Sequence, residues 1–471
     1  MAHPTTVYPP FLASAAHPDR MAVRAHLRGF SAPPPDRCRV LELGCAAGWS
    51  LLAFGSTLPG SEFVGIDLSE AAIAQGQEWA NRLGISNVHL RAGDATDIGE
   101  ADGQFDYIFA HGFLSWVPEP MRVRVFEIIR DRLAPNGVAY LSYNTFPGGH
   151  LREMVRGVMR FHTRNFTAEA DRVAQSRGLL GALLEPPVPE SSYHNYLARL
   201  AERLETAPPE QILFDELADE NFHFYFHEFV GMAAHFGLEF LAEAELVDFT
   251  AMLPPKARAT LSRVGDRLAR EQYLDFFIGR AFRQTMICRA GQQQPAADQV
   301  EMVRGLRIAA PMASEDGQRW TGACGSSVDT SNALAQTIFA RLGAAWPRML
   351  SGQELLTAAP SPKEVRILAN ILVQCIESGI VRAHIVPPAA ASQPGERPRA
   401  STLSRAQIGE RFVSSLSCEA IELSTESDKR LLDLLDGSLT RAELAERMAM
   451  SLEELDAALR NFVRLELLEN K

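Results

Sequence analysis

Three acidic side chains near the start of the sequence stand at the ends of successive apolar segments. Glu42 lies at the end of the segment 38–43, directly before a turn of small residues at 44–48 (GCAAG), and Asp67 and Asp94 close the next two segments. Glycine and alanine in such a turn let the backbone approach a bound molecule closely. If the segments are neighbouring parallel strands, the three carboxylates meet at one edge of a sheet.

These groups suit an adenosine that carries a cationic amino-acid tail. Glu42 can hold an ammonium group through water, Asp67 can accept from both ribose hydroxyls, and Asp94 can accept from the adenine amino group. A dinucleotide would place its pyrophosphate at the helix N-terminus and would not need Asp94. Each acid alone could be a helix cap or a solvated loop residue, but their common placement favours a ligand site.

The elements that position these residues alternate between strand and helix. Buried strands are predicted at 38–43, 62–68, 88–93, 105–112 and 137–144, and helices at 48–57, 69–84 and 119–133. Ser69 is the predicted N-cap of the second helix, and Gly84 is its stop. This alternation predicts a parallel α/β sheet covered by helices on both faces.

The chain is long enough for several domains. After about residue 150 the pattern becomes helical, and a later helix at 227–237 with strands at 238–246 and 281–290 would complete a seven-stranded sheet. Two later segments each resemble a winged helix, and residues 292–295 mark a boundary before them. The predicted units are an N-terminal arm (1–35), a core (36–150), a helical insert (151–226), the completion of the core sheet (227–291), a middle winged-helix-like α+β domain (299–386), a flexible linker rich in Pro, Ala and Ser (387–404) and a C-terminal winged-helix-like domain (405–471).

The motifs ELGCAAG (42–48), GIDLS (65–69), GDATD (93–97), FDYIFAHG (105–112) and LAPNGVAYLS (133–142) resemble the successive motifs of class I S-adenosylmethionine (SAM)-dependent methyltransferases. The resemblance implies a Rossmann-like fold, SAM as cofactor and S-adenosylhomocysteine as product. Ala46 departs from the family, in which many members have glycine. Carried over by position, the cofactor-binding residues are Glu42, Gly44, Cys45, Ala46, Gly48, Asp67, Leu68, Asp94, Ala95 and His111, with His111 beside the transferable methyl group.

A narrower resemblance rests on SWVPEP (115–120), SYNTFPGGH (142–150), FHFYFHEF (222–229) and REQYLDFFIGRAFRQTMICR (270–289). These segments are similar to bacterial methyltransferases with a methyltransferase regulatory domain, a group similar to the protein-lysine methyltransferases that act on outer-membrane proteins. The resemblance implies a protein substrate and a homodimer formed through the helical insert. It does not fix the acceptor, since many relatives have none known.

Four residues near the ends of the fourth and fifth predicted strands are candidates for catalysis: His111, Trp116, Tyr143 and Asn144. A lysine amine has a pKa near ~10.4 and must lose a proton before it can attack. A desolvated pocket favours that loss, and His111 or Tyr143 can assist it. Trp116 could wall a lysine channel. Alternatively, His111 is a turn residue, Tyr143 belongs to the core and Asn144 caps a turn.

Composition and missing motifs exclude several other classes. The formal net charge of -12 disfavours nucleic acid as a partner, no apolar run can span a bilayer, and no secretory signal is present, so a cytoplasmic protein is expected. The six cysteines are scattered without zinc-site spacing, and His223 with His227 fits aromatic packing better than a metal site. The open alternatives are a small-molecule methyltransferase and a non-catalytic SAM-binding regulator or interaction protein.

Overall fold

The computed structural model describes residues 7–186, 190–293, 298–322 and 325–470. Residues 1–6 of the predicted arm, Cys324 and part of the predicted boundary at 292–295 lie outside the described residues. The strands are β1 Arg39–Leu43, β2 Glu62–Asp67, β3 Val88–Ala92, β4 Phe105–Ala110, β5 Leu133–Thr145, β6 His223–Phe224, β7 Leu238–Glu243, β8 Phe282–Arg289, β9 Arg307–Ala309, β10 Arg319–Thr321, β11 Ser327–Asp329, β12 Leu350–Ser351, β13 Arg382–His384, β14 Val413–Ser414 and β15 Ala420–Ile421.

Helices surround these strands and build the smaller domains. They are α1 Pro18–His26, α2 Trp49–Thr57, α3 Glu70–Leu83, α4 Glu119–Arg132, α5 Gly149–Thr163, α6 Glu169–Leu183, α7 Ser192–Thr206, α8 Pro209–Asp215, α9 Phe226–His235, α10 Pro255–Leu261, α11 Arg267–Ile278, α12 Gln299–Arg304, α13 Ala333–Ala345, α14 Gly352–Leu356, α15 Pro362–Glu377, α16 Thr402–Ala406, α17 Glu426–Leu434, α18 Arg441–Met448 and α19 Leu452–Arg464. No helix in the described part of the chain is both long and apolar enough to cross a membrane.

The central sheet has the strand order β3-β2-β1-β4-β5-β8-β7, with the short β6 paired to the end of β5. Strands β1 to β5 are parallel, and β8 runs antiparallel to both β5 and β7. Apolar clusters cover both faces of the sheet, which explains the unbroken apolar runs in its strands. The predicted Rossmann-like sheet of seven main strands is confirmed.

Local signals set the helix bounds in this region. The Ser69 hydroxyl accepts from the Ala72 amide at 3.2 Å, and Gly84 ends α3 in the left-handed conformation. Strand β5 begins earlier than predicted because Leu133 already pairs with Phe105 before the register shifts.

Helices α5 to α8 lie between β5 and β6 and enclose an apolar cluster of their own, which includes Val155, Leu197 and Ile212. The N-terminal arm contains α1, which packs on two sides. Met21 joins the cluster on the sheet, while Val23 joins the cluster of the middle domain.

The middle domain is formed by α12 to α15 with β9, β12 and β13, and the C-terminal domain by α17 to α19. The segment predicted as a flexible linker differs from that expectation. Ala391 donates to the Leu468 carbonyl at 2.8 Å and Ala400 to the Leu435 carbonyl at 2.8 Å, and both alanines are buried. These backbone hydrogen bonds hold the segment against the C-terminal domain, and α16 begins inside it.

Candidate functional site

The turn between β1 and α2 is built from residues with left-handed backbone angles. The φ angle is 74° at Gly44, 46° at Ala46 and 70° at Gly48. A β-carbon on Gly44 would lie 2.4 Å from the Phe113 ring, and one on Gly48 would lie 2.8 Å from Leu90. Both positions therefore favour glycine, by their backbone angles and by the nearby side chains, and Ala46 adopts its angle at some cost in backbone strain.

The Asp67 carboxylate ties this turn to the end of β2. One of its oxygens accepts from the Ala46 amide at 2.8 Å, and the other accepts from the Ser69 amide at 2.9 Å. Each oxygen keeps a second lone pair, so Asp67 can still accept hydrogen bonds from a diol. Beside it, 52% of the Leu68 side chain is exposed, which suits contact with the flat face of a base.

Glu42 provides a direct test of whether the site fits the amino-acid end of SAM. The side chain is buried, and its Oε2 atom has no hydrogen-bond partner among the described residues. Burial, with a contribution from Asp67, raises the pKa of Glu42 well above its usual value. An unpaired buried carboxylate oxygen is costly unless a ligand completes it. The ammonium group of SAM has the right charge to do so, and the residues fit the cofactor.

The remaining predicted cofactor-binding residues differ in whether their side chains can reach a ligand. The Cys45 thiol packs towards β2, where a β-carbon on Gly65 would meet it at 2.8 Å, so only the backbone of Cys45 can face a ligand. The Asp94 side chain accepts from the Thr96 amide at 2.8 Å and caps a short 3-10 turn, and Ala95 is buried behind it. Asp94 is thus a cap, as the alternative interpretation held, with lone pairs left for a ligand.

His111, at the end of β4, belongs to a chain of hydrogen bonds. Its Nδ1 lies 2.8 Å from the Tyr140 hydroxyl, which donates to Gln284 Oε1 at 3.0 Å. Because the hydroxyl has a single hydrogen, Nδ1 of His111 must donate, and Nε2 keeps a free lone pair. Burial lowers the pKa of His111 to about 4, so the imidazole is neutral at pH 7. The Phe11 ring stacks on it with 4.6 Å between centroids.

Tyr143 does not lie beside His111, so the prediction that it takes part in catalysis is wrong. The side chain is buried, its hydroxyl lies 3.1 Å from Thr285 Oγ1, and its ring stacks on Phe229 at 4.2 Å. Residues alternate across a strand, so Tyr143 faces the side of the sheet opposite Tyr140. It is a core residue.

Asn144 and Trp116 face the helical insert. Asn144 is buried and donates from its side chain to Asn221 Oδ1 at 2.6 Å. The Arg152 and Arg156 guanidinium groups lie 5.7 and 5.5 Å from the Trp116 ring. These contacts fix the insert to the sheet. A role of Asn144 or Trp116 in catalysis stays a prediction.

The sequence did not reveal Phe11, Tyr140 or Gln284 as neighbours of His111. Tyr140 lies in a strand buried on both faces, so no alternation in the sequence shows which side it faces. Gln284, directly before the segment TMIC (285–288) of a predicted strand, could have signalled a polar contact, since polar groups inside a sheet need partners.

His223 and His227 have separate partners. The Phe146 ring stacks on His223 at 5.1 Å, and His227 Nδ1 lies 2.9 Å from Gln272 Oε1. Within the described ranges, no group of His, Cys, Asp and Glu side chains is arranged to hold a metal ion.

Comparisons with known proteins agree with this geometry. A "Methyltransferase domain" model matches residues 40–137, a "Predicted methyltransferase regulatory domain" model matches 208–289, and a "PKMT, C-terminal winged helix domain" model matches 396–461. The chain belongs to the class I SAM-dependent methyltransferases that carry a methyltransferase regulatory domain. Its cofactor is SAM and the product of that cofactor is S-adenosylhomocysteine.

Individual relatives extend over different parts of the chain. PKMT2 from Rickettsia typhi, solved in complex with AdoHcy, has the same fold, with a TM-score of 0.84 at 24% identity over 98% of this chain and 99% of that one. Uncharacterized protein RP789 of Rickettsia prowazekii is 36% identical over 274 residues, which cover 58% of this chain and 50% of that protein. Uncharacterized protein RP028 of the same organism is 34% identical over 227 residues, 48% of this chain and 91% of that protein. The match thus spans half the length of RP789.

Proposed function

We propose that this protein transfers the methyl group of SAM to the side-chain amine of a lysine in a protein. The observation that carries the proposal is His111: a neutral imidazole whose hydrogen-bond chain leaves Nε2 as a free acceptor at the end of β4. The PKMT winged-helix match and the shared fold with PKMT2 support a protein acceptor.

The reaction is a displacement at carbon that depends on alignment. SAM, when bound, supplies a methyl group on a sulfonium. The amine lone pair forms the new N–C bond while the C–S bond breaks, and the amine proton passes to solvent. Nε2 of His111 accepts a hydrogen bond from the neutral amine and turns its lone pair towards the methyl carbon. With a pKa of about 4, His111 orients the amine but does not store its proton.

The test is methyl transfer from SAM with a labelled methyl group to purified outer-membrane proteins, followed by peptide mass spectrometry. We expect label on lysine, and acetylation of the acceptor lysines should abolish it. Label on carboxylates, or transfer only to small metabolites in a cell extract, would overturn the proposal.

We also propose that the helical insert forms a homodimer. On α5, large apolar side chains recur on one face and are exposed to solvent: Leu151 (50%), Met154 (38%) and Phe161 (68%). A row of exposed apolar residues is typical of an interface. Sedimentation velocity should show a dimer that Phe161→Glu dissociates and the exposed control Ala170→Glu on α6 does not. A monomeric wild type would contradict the proposal.

A further inference from the structure

Helix α11 presents three exposed aromatic rings on its outer surface. Tyr273, Phe276 and Phe277 are 49%, 49% and 42% exposed. They stand at positions i, i+3 and i+4 of the helix, which share one face, whereas Leu274 and Asp275 on its other side are buried. Neighbouring aromatic side chains that remain exposed on a helix form an apolar patch, which is typical of a surface that binds a partner.

The rings on α11 continue into a longer row of aromatic side chains. The Phe276 centroid lies 6.1 Å from that of Tyr273 and 6.1 Å from that of Tyr225. The Tyr225 ring lies 5.1 Å from Phe146, which stacks on the exposed His150 ring at 3.9 Å. The aromatic strip is the name used below for these five residues: Tyr273, Phe276, Tyr225, Phe146 and His150.

The strip reaches the edge of the sheet at which methyl transfer is proposed. Phe146 directly follows Thr145, the last residue of β5. On the neighbouring strand β8, Phe282 pairs with Asn144 and is 37% exposed. The Phe282 ring makes an edge-to-face contact with the His111 ring at 5.9 Å. The aromatic strip and the proposed site of methyl transfer thus lie at the same end of β5.

The spacing of the rings matches an extended polypeptide. Side chains on one side of an extended chain recur at every second residue, about 6.7 Å apart. The successive rings from Tyr273 through Phe276 to Tyr225 are 6.1 Å apart. An extended segment with an apolar side chain at every second position can therefore place these side chains along the strip in register with its rings.

Charge favours a lysine-bearing polypeptide as the occupant. Glu228, exposed in the first turn of α9, stands three residues after Tyr225 and forms no ion pair with any residue that the structure describes. The whole chain has a formal net charge of -12. This charge attracts a segment that carries lysines and offers no such attraction to a second copy of the chain.

We infer that the aromatic strip is a docking surface for the acceptor polypeptide, where it binds an extended segment, apolar at every second position, beside the lysine that is methylated. The inference rests on the proposed function and adds that recognition extends beyond the lysine to the residues on one side of it. Docking at the strip raises the local concentration of the lysine at the methyl donor, so the strip lowers KM and leaves kcat unchanged.

Binding of synthetic peptides to the full-length protein, loaded with S-adenosylhomocysteine, tests the assignment. One probe is a short fluorescent peptide with a single lysine followed by three phenylalanines at alternating positions, with serine between them. In the matched probe, serine replaces the three phenylalanines. The wild type should bind the first probe about tenfold more tightly in fluorescence anisotropy, because buried aromatic contacts dominate such interfaces.

A double variant and a matched control assign this preference to the strip. Tyr273→Ser combined with Phe276→Ser removes two exposed rings, and an unchanged affinity for S-adenosylhomocysteine shows that the fold persists. This double variant should bind both probes equally. Leu452→Ser removes a side chain of similar exposure (53%) from α19 and should keep the wild-type preference. With a labelled protein acceptor, KM of the double variant should rise about tenfold at unchanged kcat.

Three results would each overturn the docking surface. The first is equal binding of the two probes by the wild type, and the second is a preference that persists in the double variant. The third is a dimer of the wild type that the double variant loses in sedimentation velocity, since the strip would then join two copies of the chain. None of these results touches the lysine labelling that tests the proposed function. If no lysine is labelled in any protein, the proposed function fails and this inference fails with it.

Discussion

The carboxyl edge of the central sheet has two halves that are assembled in different ways. The half with the candidate cofactor-binding residues, called the cofactor half, lies at the ends of β1 to β3. These residues fall within 42–95 and are joined by hydrogen bonds such as the one that the Ala46 amide donates to the Asp67 carboxylate. The half proposed to hold the methyl acceptor, called the acceptor half, lies at the ends of β4 and β5 and the start of β8, and it draws together Phe11, Gln284 and Ala383. The first half is determined by local sequence, and the second by the topology of the whole chain.

The two halves also differ in how their polar groups are satisfied. Glu42 in the cofactor half has a buried oxygen without a partner among the described residues, so this half is completed by its ligand. In the acceptor half, the Tyr140 hydroxyl already accepts from Nδ1 of His111 and itself donates to Gln284, so the tautomer of His111 is fixed. The cofactor half thus keeps a polar group free for its ligand, whereas the acceptor half holds the His111 ring in a fixed orientation before a ligand binds.

The largest effect is expected for His111→Ala, which removes the group that we propose orients the amine. Methyl transfer should fall about 100-fold, while S-adenosylhomocysteine should bind with unchanged affinity. Tyr143→Phe, in the core on the opposite face, should keep the rate within a few-fold and cost about 1 kcal/mol of stability. Steady-state kinetics and urea unfolding measure both. A slow Tyr143→Phe enzyme would contradict the assignment of Tyr143 to the core.

Asp67→Ala should weaken S-adenosylhomocysteine binding about 50- to 100-fold. It removes a charged acceptor and releases the turn that Asp67 holds. Asp106 is a matched control at the opposite edge, where its carboxylate accepts from the Arg39 amide at 2.8 Å. Calorimetric titration should find Asp106→Ala unchanged, and equal losses in the two variants would refute the division into halves.

Lowering the pH should reduce the stability of the folded protein through protonation of His111 in the acceptor half. Its pKa is lowered to about 4 in the folded state, below the usual 6.5, so the folded state binds fewer protons than the unfolded state between these values. Stability from this group is therefore complete above pH 6.5 and is lost as pH falls towards 4. Between pH 7 and 5 the wild type should lose about 2 kcal/mol that His111→Asn does not lose. If the urea midpoints of the wild type and His111→Asn change with pH in parallel, a contribution of His111 to the pH dependence is excluded.

The smallest effects are expected for Glu42→Gln, which should raise the stability of the protein without cofactor and weaken its binding of SAM. The pKa of Glu42 is raised in the folded state, so its charge costs stability as pH rises through that value. The free variant should therefore be about 1 kcal/mol more stable at pH 7 and should bind SAM about tenfold more weakly. Thermal unfolding and calorimetry measure the two. A destabilised variant would show that Glu42 has a partner within the protein.

The cofactor half could be predicted because its signals are local. Glycines at 44 and 48, the cap at Ser69 and the acids at strand ends each act on their near neighbours. In the acceptor half, the sequence indicated His111 but not the residues that surround it. Strand β5 is buried on both faces, so the sequence could not show that Tyr140 faces His111 and that Tyr143 does not. The segment 387–404 has the composition of a linker, and composition does not reveal its backbone hydrogen bonds.

The antiparallel pairing of β8 with β5 has a consequence for how the chain folds. Strand β5 ends at Thr145, and β8, its neighbour in the sheet, begins only at Phe282. At ordinary ribosomal speed the intervening segment takes roughly 7 to 27 s to synthesise. For that time the edge of β5 is open to pairing with other chains, a known route to aggregation. The insert helices, with their own apolar cluster, can fold during the interval and shorten the loop that must close before β8 docks.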